Sequence, residues 1–253
     1  MSIAPLKERI AKVMARSGLC SRREAEKWIL EGRVHLNGIL LESPAVTVGL
    51  EDNICVDGRP LAKKEGAKLW AYHKPAGLLT THHDPEGRPT LFETLPPELG
   101  RVISVGRLDQ NSEGLLLLTN DGDLARFLEL PRNRLARVYK VRVYGKVAPV
   151  KLLSLKNGIE VDGMHYGPVQ AELLSQKTTN AWVSVKIREG KNREVRKIMA
   201  HLGYPVNRLI RTRYGPFTLE NLLPGEIEPL SLETLGNLGL LPPKLSLKNQ
   251  NEI

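Results

Sequence analysis

The chain has 253 residues, enough for one large domain or for a small and a medium one. Two cysteines, Cys20 and Cys55, exclude a disulfide scaffold or a zinc cluster and suit a reducing compartment. Thirty-seven Lys and Arg against 28 Asp and Glu give a formal charge of +9, which favours a polyanionic partner, and no stretch approaches the ~20 apolar residues of a bilayer span. The expectation is a soluble, cytosolic, monomeric protein with no membrane partner.

Residues 1–6 read as a loose leader. From Lys7, the spacing of Ile10, Val13 and Met14 predicts a helix with a basic face, ended by Gly18. Ser21-Arg22-Arg23-Glu24 is a capping box opening a second helix through Ala25, Trp28 and Ile29 to Gly32, with Trp28 on the apolar side. Arg33 to Leu36 alternates as a strand, Asn37-Gly38 is a hairpin turn, and short strands continue to Val56-Asp57-Gly58. Two basic helices followed by small strands resemble the alpha-L type RNA-binding domain of a ribosomal small-subunit protein. The resemblance implies phosphate contacts at Arg16, Ser21, Arg22, Arg23 and Lys27 on the helical face, with Arg33 and Asn37 beside them. Such contacts give affinity and register but little sequence choice.

The polar stretch up to Gly66 reads as a linker, and Leu69-Trp70-Ala71-Tyr72 as the strand opening a second domain. Lys74-Pro75-Ala76-Gly77 follows, then an exposed loop from Thr80 to Pro97. His82 and His83 are not read as metal ligands, because neighbours in an extended chain point to opposite sides and no matching cluster occurs elsewhere. No metal is expected. Arg88 in this loop is a candidate phosphate contact. Val102 to Val105 then reads as a strand running into Gly106-Arg107-Leu108-Asp109-Gln110-Asn111-Ser112-Glu113-Gly114, and Leu115 to Thr119 as an apolar strand leaving it. Asp109 therefore stands in a bend between two buried strands. An aspartate there either bonds the amides of its own turn or carries chemistry on an accessible loop held by a rigid scaffold.

That stretch resembles the signature G-R-L-D-x-x-S/T-x-G-L-L of the ribosomal RNA pseudouridine synthases, in the branch holding the small-subunit synthase A and the large-subunit synthases B and F. The resemblance spans residues 7–230. It implies that Asp109 is the catalytic residue, that Arg107 lies close to the target nucleotide, and that Lys74 to Gly77 is a structural motif. An ordinary phosphate contact is the other reading of Arg107.

Asn120-Asp121-Gly122-Asp123 starts a helix through Leu124, Phe127 and Leu128, where helix capping accounts for the acids. After Pro131, Arg132, Arg134 and Arg137 lead into an alternating strand that puts Tyr139, Val141 and Val143 on one inward face. By the resemblance, Tyr139 is the platform beneath the target uracil. Residues 145–180 read as a variable insertion, and Trp182 to Ile187 alternates again. In Glu189 to Met199 the residues Val195, Ile198, Met199 and Leu202 form one helical stripe. At ~100° per residue this stripe leaves Arg196 at its edge and Arg193 and Lys197 away from it. Arg193 and Lys197 are then either solvated or in contact with RNA, and the resemblance makes Arg196 the partner of Asp109. Arg208, Arg211 and Arg213 decorate a further strand, and from Ser231 the chain reads as a poorly ordered tail.

The fold class is therefore α+β. A small RNA-binding domain over residues 7–59 and a linker over 60–66 precede a catalytic domain over 67–230, with a mixed, mainly antiparallel sheet flanked by helices, and a tail over 231–253. The implied reaction breaks the bond from uracil N1 to the ribose, turns the base and rejoins it through C5, on ribosomal RNA and more specifically the large subunit's. It needs an ionised carboxylate and no cofactor, and the base must first leave its stack at a cost of a few kcal/mol. Two other readings are a non-enzymatic ribosome-assembly factor and the same reaction on small-subunit RNA.

Overall fold

The computed structural model describes residues 7–62 and 65–246. The expected leader, Lys63 and Lys64 of the expected linker, and the end of the expected tail lie outside them. The chain divides into two compact units. One holds the residues up to Ala67 with Pro97–Val102 and Asn120–Gly122, and the other holds the remainder.

In the first unit β1 (Glu8–Arg9) leads into α1 (Ile10–Arg16) and α2 (Arg22–Leu30). Then come β2 (Val34–Leu36), β3 (Ile39–Leu40), β4 (Thr47–Val48), β5 (Ile54–Val56) and β6 (Arg59–Pro60). The helix expected from Lys7 begins only at Ile10, because Glu8 and Arg9 pair with Val48 and Thr47 and the Ile10 amide bonds Val46 O at 3.1 Å. The capping box forms as read: Glu24 N donates to Ser21 Oγ at 3.1 Å and Ser21 N to the Glu24 carboxylate at 2.6 Å. Such a cap stabilises a helix start by roughly 1 kcal/mol. Ile10, Met14, Ala25, Ile29, Val34 and Ile54 close the core, with Trp28 packed against it under the Arg33 guanidinium, 4.6 Å from the ring centroid. The linker expected over 60–66 starts too early. Val56-Asp57-Gly58-Arg59 makes a hairpin that puts Arg59 and Pro60 on β5 and packs Leu61 against this core.

The second unit carries β7 (Leu69–Lys74), β8 (Ile103–Ser104), β9 (Glu113–Thr119), α3 (Gly122–Glu129), β10 (Arg137–Tyr144) and α4 (Pro149–Leu153). It continues through β11 (Ile159–Val161), β12 (Met164–Tyr166), β13 (Gln170–Gln176), β14 (Asn180–Ile187), α5 (Glu194–His201), β15 (Val206–Tyr214), β16 (Phe217–Thr218) and β17 (Ile227–Leu230). Nine of these strands form one sheet in the order β13-β14-β10-β15-β9-β7-β17, with β16 on β15 and β8 on β9. The sheet is mixed and mainly antiparallel.

Its one parallel pairing, β15 with β9, is the seam between two halves and involves only Ile210 opposite Glu113 and Arg211 opposite Gly114. Gly114 sits at φ +101°, and a Cβ there would overlap the Arg211 backbone, so only glycine lets the halves close at this point. Leu115 to Leu118 are buried on both faces of β9, which anchors the end of the polar loop in the centre of the sheet. The tail expected from Ser231 is instead structured over α6 (Glu233–Asn237) and α7 (Pro243–Ser246), with Leu235 and Leu241 buried. The leucines of 231–241 supply an apolar side that composition alone did not set apart from a tail.

Candidate active site

A cavity of about 910 Å³ opens over the seam, and Asp109 lies in its wall. The loop between β8 and β9 that carries Asp109 is clamped along its length. Gly106 N donates to Glu129 at 2.5 Å, and Thr80 Oγ1 donates to Leu108 O at 2.8 Å. Gly77 N bonds Gln110 O at 2.8 Å, and Ser112 N closes a turn onto Asp109 O at 3.0 Å. The Asp109 side chain stays about one-third exposed while its backbone is held.

Beneath that loop lies Lys74, the first residue of the Lys-Pro-Ala-Gly stretch, fully buried. Its ammonium donates to the carbonyls of Pro75, Gln110 and Ser112 at 2.9, 3.2 and 3.0 Å, gripping the stretch of chain that follows Asp109. Burial pulls it down to about 8, opposed by the charges of Asp109 and Glu113. Lys74→Met should lower the melting temperature and the turnover rate together, since stranding a buried acceptor costs about 1–3 kcal/mol. Thermal unfolding alongside single-turnover assay checks this. A variant that unfolds and reacts like the wild type would show that the grip does not hold the loop.

Two guanidiniums face the Asp109 carboxylate. Arg193 Nη1 lies 3.5 Å and Arg196 Nε 3.9 Å from the same oxygen, Oδ2. Arg196 is mostly buried, and its Nη2 donates to Asn111 O at 2.8 Å, so it braces the loop from behind rather than lining the cavity. Burial first, then the Arg193 charge, lowers its affinity for the proton, with Asp109 acting the other way. The expectation that Arg193 points away is corrected. Arg193 precedes the helix as its N-cap at φ 52°, and α5 begins only at Glu194, so the 100° progression does not apply to it. Lys197, inside the helix, is exposed and outside the cavity wall, as the arithmetic has it.

Tyr139 also lines the cavity from β10, 7 % exposed, between Val185 of β14 and Arg211 of β15. Arg107 and Arg88 also line the cavity. Arg107 is exposed, whereas Arg88 grips Asp84 through two bonds at 2.7 and 3.0 Å and holds that carboxyl down to about 2. An Arg88 contact to phosphate would have to compete with that pair.

Three further residues of this wall are not singled out by the sequence reading. Arg211, 2 % exposed, donates Nε to Leu115 O at 2.7 Å, and its Nη2 has no partner among the described residues. Arg137 ties the loop before α5 in place by bonding Glu189 O at 2.9 Å and Tyr214 Oη at 3.0 Å. Both share the parity of buried neighbours, Leu209 and Tyr139, which is the signal that could have found them. Glu194, buried behind Arg193, accepts from Lys191 N at 2.9 Å. Burial, and secondarily the Glu189 charge, pushes it up to about 7. The folded chain holds this proton more tightly than the unfolded chain, so the group's contribution to stability is present in acid and fades as pH rises through about 7.

In the first unit, Arg22 and Arg23 are exposed, with no ion pair among the described residues. Lys27 pairs loosely with Glu31 at 3.5 Å. Arg16 is held by Glu8 at 2.5 Å and Arg33 by Asp57 at 2.6 Å. Ser21 is spent on the helix cap, and Asn37, at φ 52°, bonds Asp52 and Asn53 of the loop before β5, each at 2.8 Å. No group of three or more His, Cys, Asp or Glu among the described residues could hold a metal ion, and no helix there is long and apolar enough to cross a membrane.

Comparison with known proteins matches the same two units. The RNA pseudouridylate synthase family matches residues 68–201, and the S4 domain matches residues 8–54. An uncharacterized RNA pseudouridine synthase of Rickettsia felis is 50 % identical over 228 residues, 90 % of this chain and 99 % of that protein. The ribosomal large subunit pseudouridine synthase B of Salmonella typhimurium is 42 % identical over 258 residues, 96 % of this chain and 87 % of that one. Among solved structures, a pseudouridylate synthase superposes with a TM-score of 0.66 at 28 % identity, covering 93 % of this chain and all of that one.

Proposed function

The chain belongs to the RNA pseudouridylate synthase family, with an S4 domain ahead of the synthase domain, and from that premise we propose that it converts one uridine of large-subunit ribosomal RNA to pseudouridine through Asp109. The observation that carries the reading is the Asp109 carboxylate beside Arg193 and Arg196 at the wall of a cavity that Tyr139 also lines. Two guanidinium nitrogens within 4 Å of one carboxylate oxygen give the site a negative group and the cations to orient it. The RNA target is supported by the S4 domain and by the Salmonella relative's description as a large-subunit synthase. Such a substrate puts the enzyme in the cytoplasm, where it acts as a monomer.

The target nucleotide leaves its stack and enters the cavity, its phosphates met by Arg107 and Arg193 and its base by the Tyr139 ring. Asp109 then acts as a nucleophile towards the sugar or the base, or as a base towards the ribose. The N1 bond to ribose breaks, the uracil turns, C5 takes over the bond, and the proton on C5 is lost as N1 gains one. The atoms balance without a redox partner or a group donor. The test follows that proton: large-subunit RNA transcribed with uridine tritiated at C5 should release one equivalent of tritium per molecule with the purified chain. Small-subunit RNA should release none. Release from the small-subunit transcript alone would overturn the assignment of substrate.

The exposed α2 face of the S4 domain supplies affinity in this reading. Replacing Arg22 and Arg23 together with Gln should flatten the dependence of log K on log salt by about 0.7–0.9 per lost phosphate contact. Turnover at saturating RNA should hold. An unchanged slope would show that this face does not touch RNA.

A further inference from the structure

The strands that present Tyr139 and Arg211 to the cavity turn a second face away from it. On β10, Tyr139, Val141 and Val143 are buried, whereas Lys140, Arg142 and Tyr144 between them are exposed. Cross-strand partners share a face. Arg142 stands opposite Trp182 of β14 and Arg208 of β15, Lys140 opposite Ser184 and Ile210, and Val138 opposite Lys186 and Arg213. One open sheet surface therefore carries five cations around two aromatic rings. Glu172, opposite Ser184 on β13, and Glu113, opposite Ile210 on β9, are the two acids in those rows. Arg208 is engaged by Glu113 at 2.8 Å, but Arg142 and Lys186 have no ion pair among the described residues, and the Lys140 ammonium lies 5.0 Å from the Trp182 ring centroid.

A solvated strand face mixes signs and has no use for a tryptophan on an inner strand, and the core of a protein–protein interface is depleted in charge. Cations beside aromatic rings on an open sheet suit a nucleotide, phosphate against the charges and base against the ring. The open face and the cavity are the two sides of the same strand, β14. Lys186 lies on the open face and Ile187, the next residue, lines the cavity. Arg188 beyond it is exposed and donates to Arg134 O at 3.0 Å, which adds a further cation at the end of that strand.

We propose that this open face is a second RNA-binding surface, holding a single-stranded segment of the substrate RNA outside the cavity that takes the target uridine. It rests on RNA being the substrate. Two or three unpaired bases stack against Trp182 and Tyr144 while their phosphates meet Lys140, Arg142 and Lys186.

The test uses the full chain and a labelled oligouridine of about 16 nucleotides, the upper end of single-strand site sizes. In a Lys140→Gln/Arg142→Gln/Lys186→Gln variant the slope of log K against log salt should fall by about 2, at about 0.7 for each single-strand contact. Trp182→Ala should weaken the oligouridine by about fivefold or more, with Trp182→Phe restoring most of it. Neither set should change the single-turnover rate on ribosomal RNA at saturation. An unchanged slope and affinity would overturn the proposal. So would an equal loss on a duplex RNA of the same length, because duplex offers no base to stack. Oligouridine binding is read without turnover, so its failure leaves the pseudouridine assignment standing, and a failure of that assignment leaves the binding result legible.

Discussion

Asp109→Asn is expected to stop turnover, by a factor on the order of 10⁴ or more, as removal of a reacting group does in other enzymes. The substitution keeps the volume of the side chain and leaves untouched the backbone bonds at Gly106, Leu108, Gln110 and Ser112 that hold the loop. The melting temperature should therefore stay near that of the wild type. RNA affinity should hold or rise slightly, because Arg193 and Arg196 lose a competing anion while every cation of the cavity remains. Single-turnover assay, thermal unfolding and an RNA titration separate the three effects. Near-normal pseudouridine formation by this variant would remove Asp109 from the mechanism.

The second large effect is expected at Arg196, on the order of 10²–10³-fold for Arg196→Met, the range seen when one charge-stabilising group is lost from a preorganised site. That change removes a nearby cation and also the bond from Nη2 to Asn111 O at 2.8 Å, so the carboxylate loses its charge partner and part of its loop's brace. Arg196→Lys keeps the charge but not the fork that reaches two places at once, and should fall between. Arg193→Met should cost about tenfold. Its guanidinium is closer to Asp109 Oδ2, at 3.5 Å, but half of that side chain is in solvent, which screens the pair. Lys197→Met should cost nothing measurable in single turnover, since its exposed side chain lies outside the cavity wall. Equal losses at all three positions would mean that α5 serves RNA binding as a whole.

Where the backbone is regular, the sequence shows which way a side chain points. Alternation along Val138 to Tyr144 places Tyr139 inward, and the serine and glutamate three apart start α2 where expected. Arg193 escapes the same arithmetic because its left-handed conformation ends the regular geometry one residue before the helix. Arg211 was legible by parity with Leu209, yet three arginines in one short strand look alike until the fold buries one of them. Lys74 lies further out of reach. Its bonds to Gln110 and Ser112 cross 36 and 38 residues, and a lysine gives no sign in the sequence that it will be buried. The structured segment after Ser231 was missed because helices as short as α6 and α7 carry too few turns for a period to show.

The central claim is that this chain makes one pseudouridine in large-subunit ribosomal RNA and that Asp109 makes it. Its most direct test is pseudouridine mapping across all RNAs of a strain lacking the gene, complemented with either the wild-type chain or the Asp109→Asn chain. The account predicts that one large-subunit site disappears on deletion, returns with the wild type and stays absent with the variant at equal protein level. Restoration of the site by the Asp109→Asn chain, or disappearance of a site only outside large-subunit RNA, would contradict it.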